Sequence, residues 1–519
     1  MQHSLTLRAI FTCLLLVCTS IHLSAQSPGT ADGSFGTNGM KSIPYWALEL
    51  IPQADNGFIA KGFDDAVSNW GMWKYKSSGE LDSTYGVNGN LTTPVVNGES
   101  FSFLKNGKIA QLSTLVQQQP GNLTDLQIIM RNEDFSIDTS WGNNGAAFMD
   151  IAYNDSPFFA ETQPDGRLVV YGNVAPSNNT AQQFTLFLCR FTTEGVIDSS
   201  FGQYGWFYPE VNQATEYKTQ RPEGFIMHPD GSFLIGAAVR RMVPSDKSLF
   251  YIARFLPDGN PDITFGNGSP IQEGIGIQTT VMEDLKQDNQ GRIIAMGRAD
   301  YSQLAIARFL PNGSPDLSFS GDGKFMDAYM NPSILAIQPD NKILLAGNEY
   351  SPAIDQIRII RLRENGTFDT GFSGDGKLAF NFAPGTSEQI LDLQLQADGK
   401  IIFSGVKNET NERYLMRLHS GLIVAAKEPS GIYTQHAQAQ PNLVHAQTEI
   451  TIQYPHLNQP EQIARLVSPN GKVDLIQLTD QGNGLNLMAQ IPTGLAPGFY
   501  HIVFLSDKNQ QVCARFIKL

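Results

Sequence analysis

"IARFLPNGSPDLSFSGDG", Ile306 to Gly323, carries the reading on which the fold turns. An apolar run ends in an arginine, a P-N-G turn reverses the chain, and Asp316, Ser318 and Phe319 follow before a second turn at Asp322 and Gly323. The parts of this stretch recur along residues 32 to 421. D-x-[ST]-aromatic-G begins at Asp32, Asp82, Asp138, Asp198 and Asp262, with variants at Asp316 and Asp369. The successive spacings are 50, 56, 60, 64, 54 and 53 residues. The strand and turn before it return as "LCRFTTEG", "IARFLPDG", "IIRLRENG" and "LMRLHSG", with looser versions from Trp73 and Ile129. A third element, a turn leading into an apolar run, appears as "QPDGRLVVYG" from Gln163, "HPDGSFLIG" from His228, "QPDNKILLAG" from Gln338 and "QADGKIIFSG" from Gln396. Looser copies start at Gln53, Leu104 and Gln287. Seven copies of three submotifs at near-constant spacing mark a repeat array.

Each cycle supplies about four short strands separated by D-G or N-G turns, the strongest local hairpin signal. No segment sustains a helical period. Units of this length and strand number fit propeller blades, with an open β-solenoid as the alternative. The expected fold is all-β: a seven-bladed β-propeller over 26–421 followed by a small C-terminal β-sandwich domain. The first octet, "ADGSFGTNG" from Ala31, has no strand before it, and the last Arg-bearing strand runs into "LIVAAKE" with no octet after it. The spacing therefore predicts that Asp32–Gly36 pairs beside Tyr414–His419 and closes the ring, with "LIVAA" as the competing last strand. Closure leaves no exposed strand edge.

These turns resemble the delta-60 repeat, found in tandem in secreted bacterial proteins. The resemblance covers all seven units and supports the propeller; it implies little about activity. Beyond it, 422–445 is polar and rich in Gln and Pro, and reads as a linker. A new strand pattern then fills 446–519. Its "LAPGFYHIVF" and terminal "ARFIKL" resemble the type A C-terminal sorting domain of the type IX secretion system, with Gly498, Tyr500, Arg515 and Lys518 matching. That family's usual opening "YPNP" is here only "QPNL", Gln440–Leu443. The resemblance implies passage across the outer membrane by the type IX machinery, removal of the domain, and release or attachment at the outer surface of a Gram-negative cell.

Residues 1–25 read as a secretory signal: Arg8, a short apolar run "IFTCLLLVC", and "LSA" as a cleavage site near Ala25. No stretch is a convincing membrane span. Cys13 and Cys18 fall in the leader, and Cys189 and Cys513 fall in different domains, so no structural disulfide is expected. Without Arg8 the net charge is 35 − 50 = −15, which argues against nucleic acid and anionic membrane as partners. A monomer is expected.

Linear catalytic signals are absent. No His pair has zinc spacing, no G-x-S-x-G sits in a strand-to-helix setting, and no phosphate-binding loop appears. For a metal, the octet is the candidate: Asp316, Ser318, Ser320 and Asp322 alternate as calcium ligands would, and Asp369, Ser373 and Asp375 repeat the pattern with a gap at Gly371. The architectural reading of the same residues is an Asp accepting turn N–H groups and an aromatic packing on a neighbouring sheet. A sevenfold feature favours architecture. Trp70, in "NWGMWKY", is the candidate for an exposed ligand-stacking ring, whereas Trp73 reads as core. The long segments 174–183, 207–221 and 240–248 are natural places for specificity. The functional expectation is a secreted or surface binding protein for a protein or glycan. Its rivals are a secreted carbohydrate-active hydrolase or lyase, with acids from several blades around the channel, and a structural element of the envelope.

Overall fold

The computed structural model describes residues 27–422 except the connections 95–99, 117–123, 153, 176–183, 210–216, 242–246, 278, 301, 328–329, 352–353 and 382–386. Beyond residue 437 it describes the backbone of the strands. The leader read at 1–25 and most of the linker lie outside these residues. Apart from one 3-10 turn at Gly266–Gly268, the regular structure among the described residues is strand. No helix among them is long and apolar enough to cross a membrane.

Four stretches each form an antiparallel four-stranded sheet in chain order: Trp46–Pro94, Tyr217–Glu273, Thr280–Asp327 and Asn331–Phe380. An eight-stranded sheet holds two more such units, Ser100–Met149 and Asn154–Phe207, joined by the single parallel pair Asn154 and Thr124. The last unit combines Glu388–Leu395, Ile401–Lys407 and Glu412–Leu418 with Met40–Ile43 from the other end of the chain. We number these blades 1 to 7 from Trp46–Pro94. First strands touch first strands from blade 2 round to blade 7 and on to blade 1, so they form the inner wall.

The cores lie between blades. One apolar cluster sits at each junction of consecutive blades, and one of them joins Ile402 and Leu415 of blade 7 to Ala47, Phe58 and Trp73 of blade 1. The second strand of blade 3, Leu168–Ala175, is buried throughout. Leu168 and Val170 face the core shared with blade 2, while Val169 and Tyr171 face the core shared with blade 4. A strand covered on both faces has no polar side to alternate with, which is why the repeat reads as an unbroken apolar run. Each such side chain contributes about 1.5–3 kcal/mol.

Closure occurs, with a shifted register. The strand that completes blade 7 is Met40–Ile43, paired with Met416 back to Arg413. Asp32–Gly36 forms the loop leading into it and touches the third strand through the bridge Ala31–Leu418 and the bond from the Asp32 N–H to the Arg417 carbonyl (2.8 Å). That edge of Glu412–Leu418 is taken by Met40–Ile43; the competing "LIVAA" lies, beyond Leu422, outside the described residues. The same offset holds in every blade: the octet precedes the outer strand instead of ending the blade. The octet has to loop because its aromatic leaves the sheet and enters the next blade's core.

From Gln438 onward, backbone strands pair along one eight-stranded path in which Gly498–Leu505 lies antiparallel to Gln511–Lys518. Two of its strands, Gln438–Gln440 and Leu443–Val444, fall within the segment read as a linker. Gly498, Tyr500, Arg515 and Lys518 lie on that antiparallel pair; their side chains are outside the described residues.

Candidate functional site

The octets build locks. In blade 5, Arg308 Nε donates to Asp316 Oδ2 (2.8 Å), Nη2 donates to Ser318 Oγ (3.1 Å), and Nη1 donates to the Glu364 carbonyl of blade 6. The guanidinium lies over the Phe319 ring, 4.6 Å from its centre. Arg190, Arg254 and Arg417 repeat the arrangement with Asp198, Asp262 and Asp32, each reaching a carbonyl in the following blade: Pro257, Pro311 and Ser77. Arg361 pairs with Asp369 (2.9 Å) and reaches Ser420, with Gly371 in place of the hydroxyl. Blade 1 has Lys74 at this position, 3.8 Å from Asp82, and blade 2 has Met130, so Asp138 pairs instead with Lys108 (3.0 Å).

The glycine of the next blade's turn completes the lock. Gly259 has φ near 89°, and a Cβ there would stand 2.7 Å from the Phe201 ring of blade 3. Glycine meets both demands at once, a left-handed backbone and a bare surface for the ring.

Asp316 and Asp369 are thus buried and committed to arginines. Asp322 and Asp375 accept the N–H groups of Lys324 and Lys377, and Ser320 and Ser373, at positive φ, take the place of the octet glycine. Asp316 Oδ1 also accepts from Ser318 Oγ (2.6 Å). Among the described residues, no group of three or more His, Cys, Asp or Glu is placed to hold a metal. Trp70 lies within a strand. It pairs with Phe63 inside the strand Asn69–Tyr75 and stands half-buried edge-on to that ring, 5.7 Å away, because the hairpin extends to Asp64 and Asn69. Trp73 is core, stacked on Tyr45 at 3.5 Å.

The inner wall holds polar groups that the sequence did not single out. Six first strands carry a register break, placing Leu48, Phe158, Glu223, Glu283, Ser333 and Leu391 at bulges. Just past two of these breaks, Asp284 accepts the Leu335 N–H of blade 6 (3.1 Å) and Asp392 accepts the Leu50 N–H of blade 1 (2.6 Å). Burial raises Asp392 to about 7, with the Glu49 charge adding to it against its bond from Leu50. Glu223 is buried at its bulge beside Arg221 (2.8 Å). Burial lifts it to about 8, helped by Glu283 and Asp284 and opposed by Arg221 and Arg298. Glu283 is ion-paired with Arg298 (2.6 Å). Consecutive bulges therefore carry two carboxyls, one raised by burial and one held by Arg298. These residues fall in the least repetitive strand of each cycle, and a bulge has no linear signature.

The two ends of the ring differ. First-to-second strand connections are all five residues long: 53–57, 104–108, 163–167, 228–232, 288–292, 338–342 and 396–400. Third-to-fourth connections on the same end, such as 192–205, 310–323 and 363–376, span fourteen. Connections at the opposite end run from two residues (352–353) to nine (176–184 and 208–216). The three long segments singled out from sequence open at this variable end, their central residues outside the described ones.

Three stretches, 163–201, 291–319 and 338–372, match the model of "Domain of unknown function (DUF5122) beta-propeller". They fall in blades 3, 5 and 6. No curated protein matches the chain. Among solved structures, a fungal alcohol oxidase of the AA5 family in complex with copper is similar at 12% identity over 92% of this chain and 98% of its own, with a TM-score of 0.36. The PQQ-bound aldose sugar dehydrogenase from Streptomyces coelicolor follows at 13%, 63%, 95% and 0.33. The GH74 xyloglucanase from Xanthomonas campestris stands at 10%, 91%, 73% and 0.33. The chain is an all-β propeller whose third, fifth and sixth blades are similar to a propeller domain of unassigned function.

Proposed function

We propose that this protein is an exported β-propeller that binds a protein or glycan ligand through the connections at its variable end. The observation that carries the reading is the asymmetry of the ring: each class of connection at one end keeps its length to within one residue, while the other end varies more than fourfold. Loops on a rigid scaffold are where recognition is built, since they can change without disturbing the core. The leader at 1–25 and the resemblance of 446–519 to a sorting domain support export by a type IX-like route to the outer surface of a Gram-negative cell. The acidic surface fits a partner other than nucleic acid.

The test is binding of the full processed chain to a glycan array and to purified surface proteins. Shortening 176–184 and 208–216 to minimal turns should abolish the strongest interaction. Changing Ile263 and Leu317, exposed on the octet end, to Thr should leave it intact. The opposite pattern would overturn the assignment of the face.

Glu223 and Glu283 favour a second reading, a carbohydrate-active enzyme with its acid and base on the inner wall of blades 4 and 5. In that reading Glu223 donates the proton and Glu283, paired with Arg298, takes the part of the second carboxyl. Release of reducing ends from a polysaccharide panel, lost in Glu223→Gln, supports it; no release from any member rejects it.

A further inference from the structure

The seven-fold repeat serves as an internal control, and blade 4 departs from it. Its third-to-fourth connection, 256–270, is one residue longer than the fourteen of 192–205 or 310–323. In the other six blades the N–H of the lock residue donates to the glycine that ends the connection: Lys74 to Gly89, Met130 to Gly145, Arg190 to Gly205, Arg308 to Gly323, Arg361 to Gly376 and Arg417 to Gly39, at 2.8–3.1 Å. Arg254 makes no such bond to Gly268. Ser269 and Pro270 intervene, and Pro270 has no N–H to offer the ladder. The outer strand Ile271–Glu273 pairs with Phe250, Tyr251 and Ile252, so it begins opposite the residue two before Arg254 instead of one before it as in the other blades.

The separation of the two strands opens a cavity of about 450 Å³ lined by Tyr251, Arg254, Asp262, Phe265, Ser269 and Gln272. It also uncovers the lock. The Arg254 side chain is 19% exposed, against 1–3% for Arg190, Arg308, Arg361 and Arg417. Arg254 spends three donors on Asp262 (2.7 Å), Pro311 (2.8 Å) and Thr264 (3.2 Å). A guanidinium carries five N–H groups, two more than these bonds use, and Arg254 lines the cavity. The volume lies within the 300–1,000 Å³ typical of small-molecule sites.

We propose that this cavity binds a neutral, hydroxyl-rich small molecule of monosaccharide size. The paired Arg254 and Asp262 leave the wall without net charge, so an anion would meet the carboxylate and a cation the guanidinium. A hydroxyl group both accepts from the arginine and donates to the aspartate, and Ser269 and Gln272 add polar groups of the same kind. The site lies towards the octet end, opposite the face proposed above, and does not depend on that reading.

The test is titration of the full processed chain, followed by calorimetry and by ligand-observed NMR, with glucose, galactose, N-acetylglucosamine and inositol, and with acetate and methylammonium as charged probes. At least one polyol is expected to bind with a Kd of about 1 mM or tighter. Shortening Ser269–Pro270 to a single Gly restores the fourteen-residue connection and its closing glycine, and should abolish binding while holding or raising the melting temperature. Ser269→Trp, at an exposed rim position, should block the cavity without altering the connection length, covering the case in which the shortened variant misfolds. Absence of binding by every polyol, tighter binding of either charged probe, or binding that survives Ser269→Trp would each overturn the proposal.

Discussion

The arginine–aspartate–aromatic lock makes single residues consequential. Asp32 is buried against Arg417, with Lys400 3.0 Å away. Burial pushes its carboxyl up, but bonds from Ser34 and the charges of Lys400 and Arg417 win and hold it well below the usual range. Asp32→Ala strands a buried guanidinium and should cost about 3–5 kcal/mol. Asp262→Ala should cost clearly less, since Arg254 is partly solvated. Urea unfolding of the two variants checks the difference, and equal losses would contradict it. Asp198 is likewise depressed, to about 2: burial opposes, but the Ser200 bonds, Arg167 and Arg190 prevail. A depressed carboxylate stabilises the fold above its unfolded value near 3.8, and that stability disappears as pH falls toward 2. An acid titration of Asp198→Asn should therefore show a shallower loss than wild type in that window.

At the scale of elements, the N-terminal segment is part of the last blade. Gly29 donates to the His419 carbonyl, and Ser373 of blade 6 donates to the Pro28 carbonyl, so 27–39 touches both blades at the seam before Met40–Ile43 takes its place in the sheet. Removing 27–43 takes away the Phe35 ring, the partner of Arg417 and the outer strand together. The melting temperature should fall by about 10 °C or more, and the bare edge of Glu412–Leu418 should drive self-association, visible by light scattering. A monomeric deletion variant that melts like wild type would show that the segment is no clasp. The turns were legible in the sequence because Gly and Asn are the residues that accept positive φ, as Asn38, Gly39, Gly313 and Gly323 do. The strand that follows each octet was not, because Met40–Ile43 and its counterparts are short and vary in composition.

At the scale of the whole molecule, two sets of acids set opposite limits on pH. The octet aspartates support the fold from the acid side. The inner-wall carboxyls, Glu223 near 8 and Asp392 near 7, are raised chiefly by burial and keep their protons in the folded state. Their contribution is complete below their unfolded values and is lost as pH rises through 7 to 8. Glu223→Gln should flatten the decline in melting temperature between about pH 5 and pH 9; an unchanged slope would place the alkaline loss elsewhere.

The sequence by itself determined the repeat, the all-β class, the turn chemistry and the recurrence of the octet's Asp and aromatic, because each is a local matter of φ, hairpin geometry and two-sided burial. Tertiary structure alone decided that the lock arginine reaches into the next blade, that Glu223 and Glu283 occupy bulges of neighbouring blades, and that one extra residue before Ile271 accompanies a cavity in blade 4. Those outcomes depend on which side chains the ring brings together from residues tens to hundreds of positions apart, and on a register that a single inserted residue displaces.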